Sequence, residues 1–286
     1  MATILEPHTQ HDAATAPLGN RTAECLNLGC GSRFVPSWTN VDIRSRSPHV
    51  IAHDLRRPLP FPDASFDFVY TSHVLEHFDR DDGETFLHEA ARMLRPGGIL
   101  RVVVPDVEQL ARVYLDALQR ADEGQPGADA DYQWSLLMLF DQMLRDRSGG
   151  AMGDYLRQAH VPNRDFVVAT SGTETESLMD RPVKQRRGLR RLFSRGGRER
   201  LWRRLFGSRF EAYRAGRFRQ GGEIHRWMYD RYSLRQLFER CGLGEVRRCA
   251  AAESRWPGFH EAGLDIDSEG RVYKPESIYM EGVQPY

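Results

Sequence analysis

The sequence predicts an α/β fold, a Rossmann-like, doubly wound sheet of seven strands that carries a helical insertion. Three observations support it. Short apolar runs bounded by turn residues alternate with stretches of helical spacing. The first run ends in a glycine-rich loop, LNLGCGS, at residues 26–32. Residues 98–104, GILRVVV, form a near-continuous apolar run of the kind a parallel sheet buries on both faces.

Glu24–Leu28, Thr39–Ile43 and His49–Ala52 are three short strands, each stopped by turn residues. Phe66–Tyr70 is a fourth, entered through the turn PFPDAS, and Gly98–Val104 is the fifth. Between those two, Phe86, Leu87, Ala90, Ala91 and Leu94 share one face of a helix over residues 84–94, which Pro96-Gly97-Gly98 stops. From Val107 the residues Leu110, Ala111, Tyr114, Leu115 and Leu118 recur at helical spacing, and a second helical pattern covers residues 132–144. Gly- and Ser-rich punctuation at 148–153 and 171–177 leads into a basic stretch, and the α/β texture returns near Glu223. Ser233 caps a helix that runs to Cys241 and closes at Gly242. Glu245–Ala252 and Ser277–Val283 complete the sheet. The expected organisation is a disordered tail at 1–22, a core domain at 23–106 and 222–286, and a helical insertion or lid at 107–221.

The 286 residues suffice for one or two domains with a full core. With 40% hydrophobic and 28% charged residues and a mean hydropathy of −0.57, no run approaches the ~20 apolar residues of a membrane span. Residues 1–20 lack the basic start and long apolar stretch of a signal peptide, which makes the cytoplasm the default compartment. Cys25, Cys30, Cys241 and Cys249 form no CxxC pair and no zinc-finger spacing, so free, mostly buried thiols are expected. Basic and acidic residues cancel at 40 each, yet residues 181–220 hold 15 Lys or Arg against Glu199 and Glu211. That segment carries +13 and the rest of the chain −13.

Gly29 and Gly31, one residue apart where a strand turns into a loop, let backbone approach a ligand closely and suit a nucleotide-like cofactor. Asp42 ends the second strand, where a carboxylate accepts both hydroxyls of a ribose. After the third strand, Asp54 offers a carboxylate to the exocyclic amine of adenine and Leu55 a backbone N–H to a ring nitrogen. Three strand ends in order point at one adenosine.

On the segments LNLGCGS, WTNVDI, HDLRRPLPFPDASFDFVYTSHVLEHF, LRPGGILRVVVPD, HRWMYDRYSL and KPESIYMEG, the chain resembles the class I S-adenosylmethionine-dependent methyltransferases. The resemblance is to the type 11 set, and to a bacterial subgroup often associated with surface-polysaccharide genes. It spans about residues 24–107 and 222–283. It implies S-adenosyl-L-methionine as cofactor and a mostly parallel sheet with an antiparallel last strand. It also places Gly29 and Gly31 beside the methionine moiety, Asp42 at the ribose, Asp54 and Leu55 at the adenine, and Ser72 and His73 facing the sulfonium. Asn27 stands where the family commonly has an acidic residue; it keeps hydrogen-bonding capacity for the cofactor and loses the charge. Only twelve residues separate Gly29 from Asp42, so the first helix should shrink to a turn. The implied activity is O-methylation of a hydroxyl on a sugar, surface glycan or lipid-linked saccharide. The alternatives are N- or C-methylation of another small molecule, or an idle binding module.

His73 and His225 are the candidate catalytic residues, each able to act as a general base for a hydroxyl acceptor. For both, the competing reading is a packed, hydrogen-bonded histidine. His73-Val-Leu-Glu76-His77 also matches HxxEH, a zinc-peptidase pattern with two histidines on one helical face. The sequence identifies no third ligand, so no metal is expected. Trp227 and Tyr229 would wall an acceptor or belong to the core, and Asp106 is a helix N-cap. In the basic segment Leu189, Leu192, Phe193, Leu201, Trp202, Leu205 and Phe206 interleave with arginine at helical spacing. Such a helix serves as a lid on the acidic core or makes peripheral contact with an anionic membrane from the cytoplasmic side. Nucleic acid is the weakest reading, since no RNA-binding module accompanies it.

Overall fold

The computed structural model describes residues 23–180 and 195–286, with residues 195–205 described for backbone only. The tail at 1–22 and the first part of the basic segment, 181–194, lie outside the described residues. The strands are β1 (Cys25–Leu28), β2 (Thr39–Asp42), β3 (Val50–Ala52), β4 (Phe66–Ser72), β5 (Leu94–Pro105), β6 (Gly244–Cys249) and β7 (Ser277–Val283). The helices are α1 (Arg80–Arg92), α2 (Val107–Asp122), α3 (Ala128–Leu144), α4 (Gly150–Leu156), α5 (Arg164–Met179), α6 (Arg195–Arg219) and α7 (Arg231–Arg240).

One sheet runs in the order β3-β2-β1-β4-β5-β7-β6. β1 to β5 pair in parallel, and β7 lies antiparallel between β5 and β6. The strand order reverses between β1 and β4, so the crevice for a ligand lies beyond the carboxyl ends of those two strands. Because β7 is antiparallel, its first residues come to that same edge.

Alternation along β5 assigns the two faces. Leu100, Val102 and Val104 join the core that α1 and α7 cover through Phe86, Leu87, Leu234 and Phe238. Ile99 and Val103 point to the other face, whose apolar cluster contains no residue of α1–α7. Phe259, Leu264, Trp38 and Trp256, all outside those helices, cover it. The cover is fastened by Arg101, fully buried between Asp265 and Glu281 at 2.9 Å each, with its guanidinium 4.5 Å over the Phe259 ring. A buried cation is tolerated here because both partner carboxylates and three backbone carbonyls meet it.

Local chemistry sets the boundaries. α1 stops at Arg92, two residues before the sequence reading, because Leu94 pairs with Phe66 and enters β5. α7 begins one turn earlier than expected. Asp230 is its N-cap, accepting from the Ser233 backbone N–H at 2.7 Å, while the Ser233 hydroxyl accepts from the Asp230 N–H at 3.0 Å. No helix separates β1 from β2, as the short spacing requires.

The segments read as Gly- and Ser-rich punctuation are helical from Gly150 in the first and throughout the second. Gly149 and Gly150, at φ of +79° and +53°, start α4, and Gly172 kinks α5 at φ +75°. A Cβ on Gly172 would stand 2.0 Å from the Tyr273 carbonyl, so glycine there lets residues 273–275 dock on the insertion. Leu110, Trp134, Met138, Leu156, Val161 and Val167 form the insertion's own apolar cluster, against which Met228 packs. α6 is broken at Gly207, where φ is +49°.

Candidate active site

The glycine loop leaves β1 through two left-handed residues, Gly29 at φ +72° and Gly31 at φ +55°. They need glycine for different reasons. A Cβ on Gly29 would meet Val74 Cγ2 at 2.2 Å, whereas a Cβ on Gly31 would meet nothing within 4 Å. Gly29 lets the loop pack on the chain after β4; Gly31 borders open space. The Gly31 N–H donates to Asp42 Oδ2 at 2.9 Å, and the Arg44 N–H donates to Asp42 Oδ1 at 3.2 Å. Asn27 is buried and donates to the Arg33 carbonyl at 3.3 Å.

Asn27, Gly29, Gly31, Ser72 and His73 come together as lining of one cavity of about 230 Å³. Asp42 is one hydrogen bond from that lining and does not itself line it. Asp54 and Leu55 stand farther out, beyond β3, where Asp54 is held by a bidentate pair with Arg56 at 2.9 and 2.7 Å. That guanidinium lowers the Asp54 carboxyl to about 2. The open space at Gly31, beside the strand-end carboxylate of Asp42, leaves room for a ligand at the carboxyl edge of the sheet.

A second cavity, of about 960 Å³, opens between the sheet edge and helices α2–α5. His73, Glu174 and Lys274 line both cavities, so these three side chains form a shared wall. Met138, Met152, Leu156 and Leu178 make its apolar part, and Arg145, Arg157 and Lys274 its cationic part. Glu276, immediately before β7, lines it with Oε2 buried and without a hydrogen-bond partner. Burial pushes that carboxyl up to about 7.

The HxxEH stretch is not a continuous helical face. His73 follows the end of β4 in the left-handed region at φ +53°, and only Leu75–His77 form a 3-10 turn. His73 Nε2 lies 2.8 Å from Ser277 Oγ, and Nδ1 lies 3.3 Å from Glu76 Oε1. Burial keeps its imidazole well below the usual histidine range, hence neutral at pH 7. His225 lines neither cavity. It is buried, packed edge-on against His77 with ring centroids 5.0 Å apart, and burial lowers it to about 2. Tyr229 belongs to the core, Trp227 is exposed beneath Arg80, and Asp106 caps α2 by accepting from the Glu108 N–H at 3.0 Å. All four cysteines are free and buried, and burial pushes their thiols up to about 11 or 12. Among the described residues no helix is long and apolar enough to cross a membrane.

Sequence reasoning missed Glu174, Lys274 and Glu276 as site residues. For Lys274 and Glu276 the available signal was position, since residues just before an antiparallel last strand arrive at the ligand edge of the parallel ones; Glu174, on α5, had no such signal.

The family of the methyltransferase domain called Methyltransf_11 matches residues 26–102, from β1 into β5. A curated protein of Mycolicibacterium smegmatis, described as a probable S-adenosylmethionine-dependent methyltransferase, is 42% identical over 116 residues. The match takes in 34% of this chain and 44% of that protein, so the chain spans less than half the length of this relative. Among solved structures, a possible histamine N-methyltransferase from Thermotoga maritima is 14% identical over 92% of this chain and 83% of its own, with a TM-score of 0.36. The 1,6-didemethyltoxoflavin-N1-methyltransferase of Burkholderia thailandensis, solved with S-adenosylhomocysteine, is 21% identical over 30% of this chain and 46% of its own, with a TM-score of 0.25. The fold assignment stands on strand order and register.

Proposed function

We propose that this chain, whose residues 26–102 match the methyltransferase domain family, is an S-adenosylmethionine-dependent methyltransferase that methylates a hydroxyl on a sugar, surface glycan or lipid-linked saccharide. The observation that carries the proposal is the shared wall. A crevice of about 230 Å³ under the glycine loop, read as the seat of the cofactor's amino-acid end, and a larger cavity read as the acceptor's meet at His73, Glu174 and Lys274. The cofactor supplies an electrophilic methyl group on a sulfonium. The chain's own part is to align the acceptor hydroxyl across that wall, exclude water and receive the hydroxyl proton.

An acceptor with an apolar part and an anionic group matches the lining, as in a saccharide joined to a lipid through phosphate. Arg145, Arg157 and Lys274 would meet the anion, and the Met and Leu side chains the apolar part. For the proton, His73 has Nε2 occupied by Ser277 and Nδ1 turned to Glu76. Glu276 lines the cavity, leaves its buried Oε2 without a hydrogen-bond partner and ionises near neutral pH, so the proton is assigned to Glu276, with His73 positioned at the junction.

Turnover with a hydroxyl acceptor is expected to rise through about pH 7 as Glu276 ionises, then level off. Glu276→Gln should lower the rate by about 10²- to 10⁴-fold and flatten that limb, while leaving cofactor affinity unchanged. If His73→Asn removes the limb and Glu276→Gln does not, the base is His73. Transfer to nitrogen or carbon acceptors alone, by protein that binds cofactor normally, would overturn the O-methylation reading.

A further inference from the structure

We infer that Glu76, His77 and His225 form a site for one divalent transition-metal ion of the zinc class, which fastens the chain returning from the helical insertion to the turn after β4. The three side chains come from two stretches almost 150 residues apart. Each offers one ligand atom, and these atoms all lie within 4.8 Å of one another. Tetrahedral zinc, with bonds of about 2.0–2.2 Å, sets its ligand atoms about 3.3–3.6 Å apart. The Glu76 Oε1 to His225 Nε2 distance is already 3.9 Å, so closing the site takes side-chain adjustment and no change of fold.

Glu76 points to a missing partner. It is completely buried, and although His73 Nδ1 lies 3.3 Å from Oε1, neither carboxylate oxygen has a hydrogen-bond partner. A buried carboxylate without donors costs several kcal/mol unless a cation meets it. His77 is already oriented as a ligand. Its Nδ1 lies 3.0 Å from the Ile224 carbonyl, which fixes the proton on that nitrogen and leaves the Nε2 lone pair available. A ring N–H held by a backbone carbonyl is the arrangement metal-binding histidines use. Two imidazoles and one carboxylate suit zinc, cobalt or nickel and disfavour calcium and magnesium, which take oxygen ligands. The nearby cation Arg145 is turned to Glu223, at 3.6 Å from its carboxylate and 3.1 Å from its carbonyl, which compensates its charge.

The backbone shows what the ion would hold. The N–H groups of Arg226 and Trp227 donate to the Glu76 carbonyl at 2.7 and 3.3 Å, and the His225 N–H donates to the Gln142 carbonyl at 2.9 Å. Residues 224–227 thus join α3 to the 3-10 turn at the very point where the three ligands meet. A metal there closes a long loop and stabilises the seat of the insertion on the sheet. The HxxEH reading gains its third ligand from His225, with Glu76 as ligand in place of His73.

The test uses the full chain, stripped by a chelator and dialysed against zinc, with bound metal counted by mass spectrometry. Wild type should take up one zinc per chain and melt at higher temperature for it. His77→Ala and His225→Ala should each weaken binding by at least about tenfold and abolish the thermal shift, while the exposed His160→Ala should leave both intact. Cobalt gives a second readout that survives partial loss of stability: wild type should show the visible absorption of a tetrahedral cobalt site, and the variants should not. No zinc retained by wild type, or equal retention by the His77→Ala/His225→Ala double variant, would overturn the inference.

Discussion

Gly29 and Gly31 share a backbone conformation and differ in surroundings, which separates folding from binding at two neighbouring positions. Gly29→Ala sets a methyl against Val74 in addition to a left-handed φ, and should cost about 1–3 kcal/mol of stability. Gly31→Ala keeps open space around its methyl, so most of its cost should fall on the ligand. Chemical denaturation should show the larger loss for Gly29→Ala, and cofactor titration at least about a tenfold weakening for Gly31→Ala, which corresponds to 1.4 kcal/mol. Equal behaviour of the two variants in both assays would mean that Gly31 does not face the cofactor. The left-handed pair and Asp42 could be read from the sequence because turn glycines and strand-end carboxylates are local signals. Glu276 could not, since its burial and free oxygen depend on α5, Lys274 and a strand that reaches the site antiparallel.

The elements of the core follow from period and punctuation, and all seven strands lie within a few residues of where the apolar runs place them. The insertion was harder to read. Glycine and serine lower helix propensity, so 148–153 and 171–177 look like linkers, yet positive-φ glycines start α4 and kink α5 to fit residues 273–275. The second sheet face was also hidden, because irregular chain covers it through Trp256, Phe259 and the Arg101 cluster. α6 carries the reading that sequence alone left open. Phe206 and Tyr213 are exposed on it, lining a shallow groove with Arg209 and Phe210. If that face is a peripheral membrane contact, retention on anionic vesicles should fall steeply as salt rises. Salt-independent retention, or none on anionic vesicles, would leave α6 as a lid.

At the scale of the molecule, the two cavities divide between the core and the insertion. The strand ends of the core bring Gly31, Asp42 and Ser72 to one edge of the sheet, and the insertion closes a larger cavity against that edge. His73, Glu174 and Lys274 come from the turn after β4, from α5 and from the approach to β7, so the shared wall exists only when core and insertion are folded together. Acceptor binding should therefore depend on the whole chain, while the proposed cofactor crevice draws mainly on the strand ends of the core.

Calorimetric titration of S-adenosylhomocysteine and S-adenosylmethionine into wild type and Asp42→Ala tests the central claim most directly. One site per chain with about micromolar affinity, near 8 kcal/mol, weakened strongly in the variant, is the predicted result. Absence of binding by folded wild type would contradict the assignment of a methyl-donor site beneath the glycine loop.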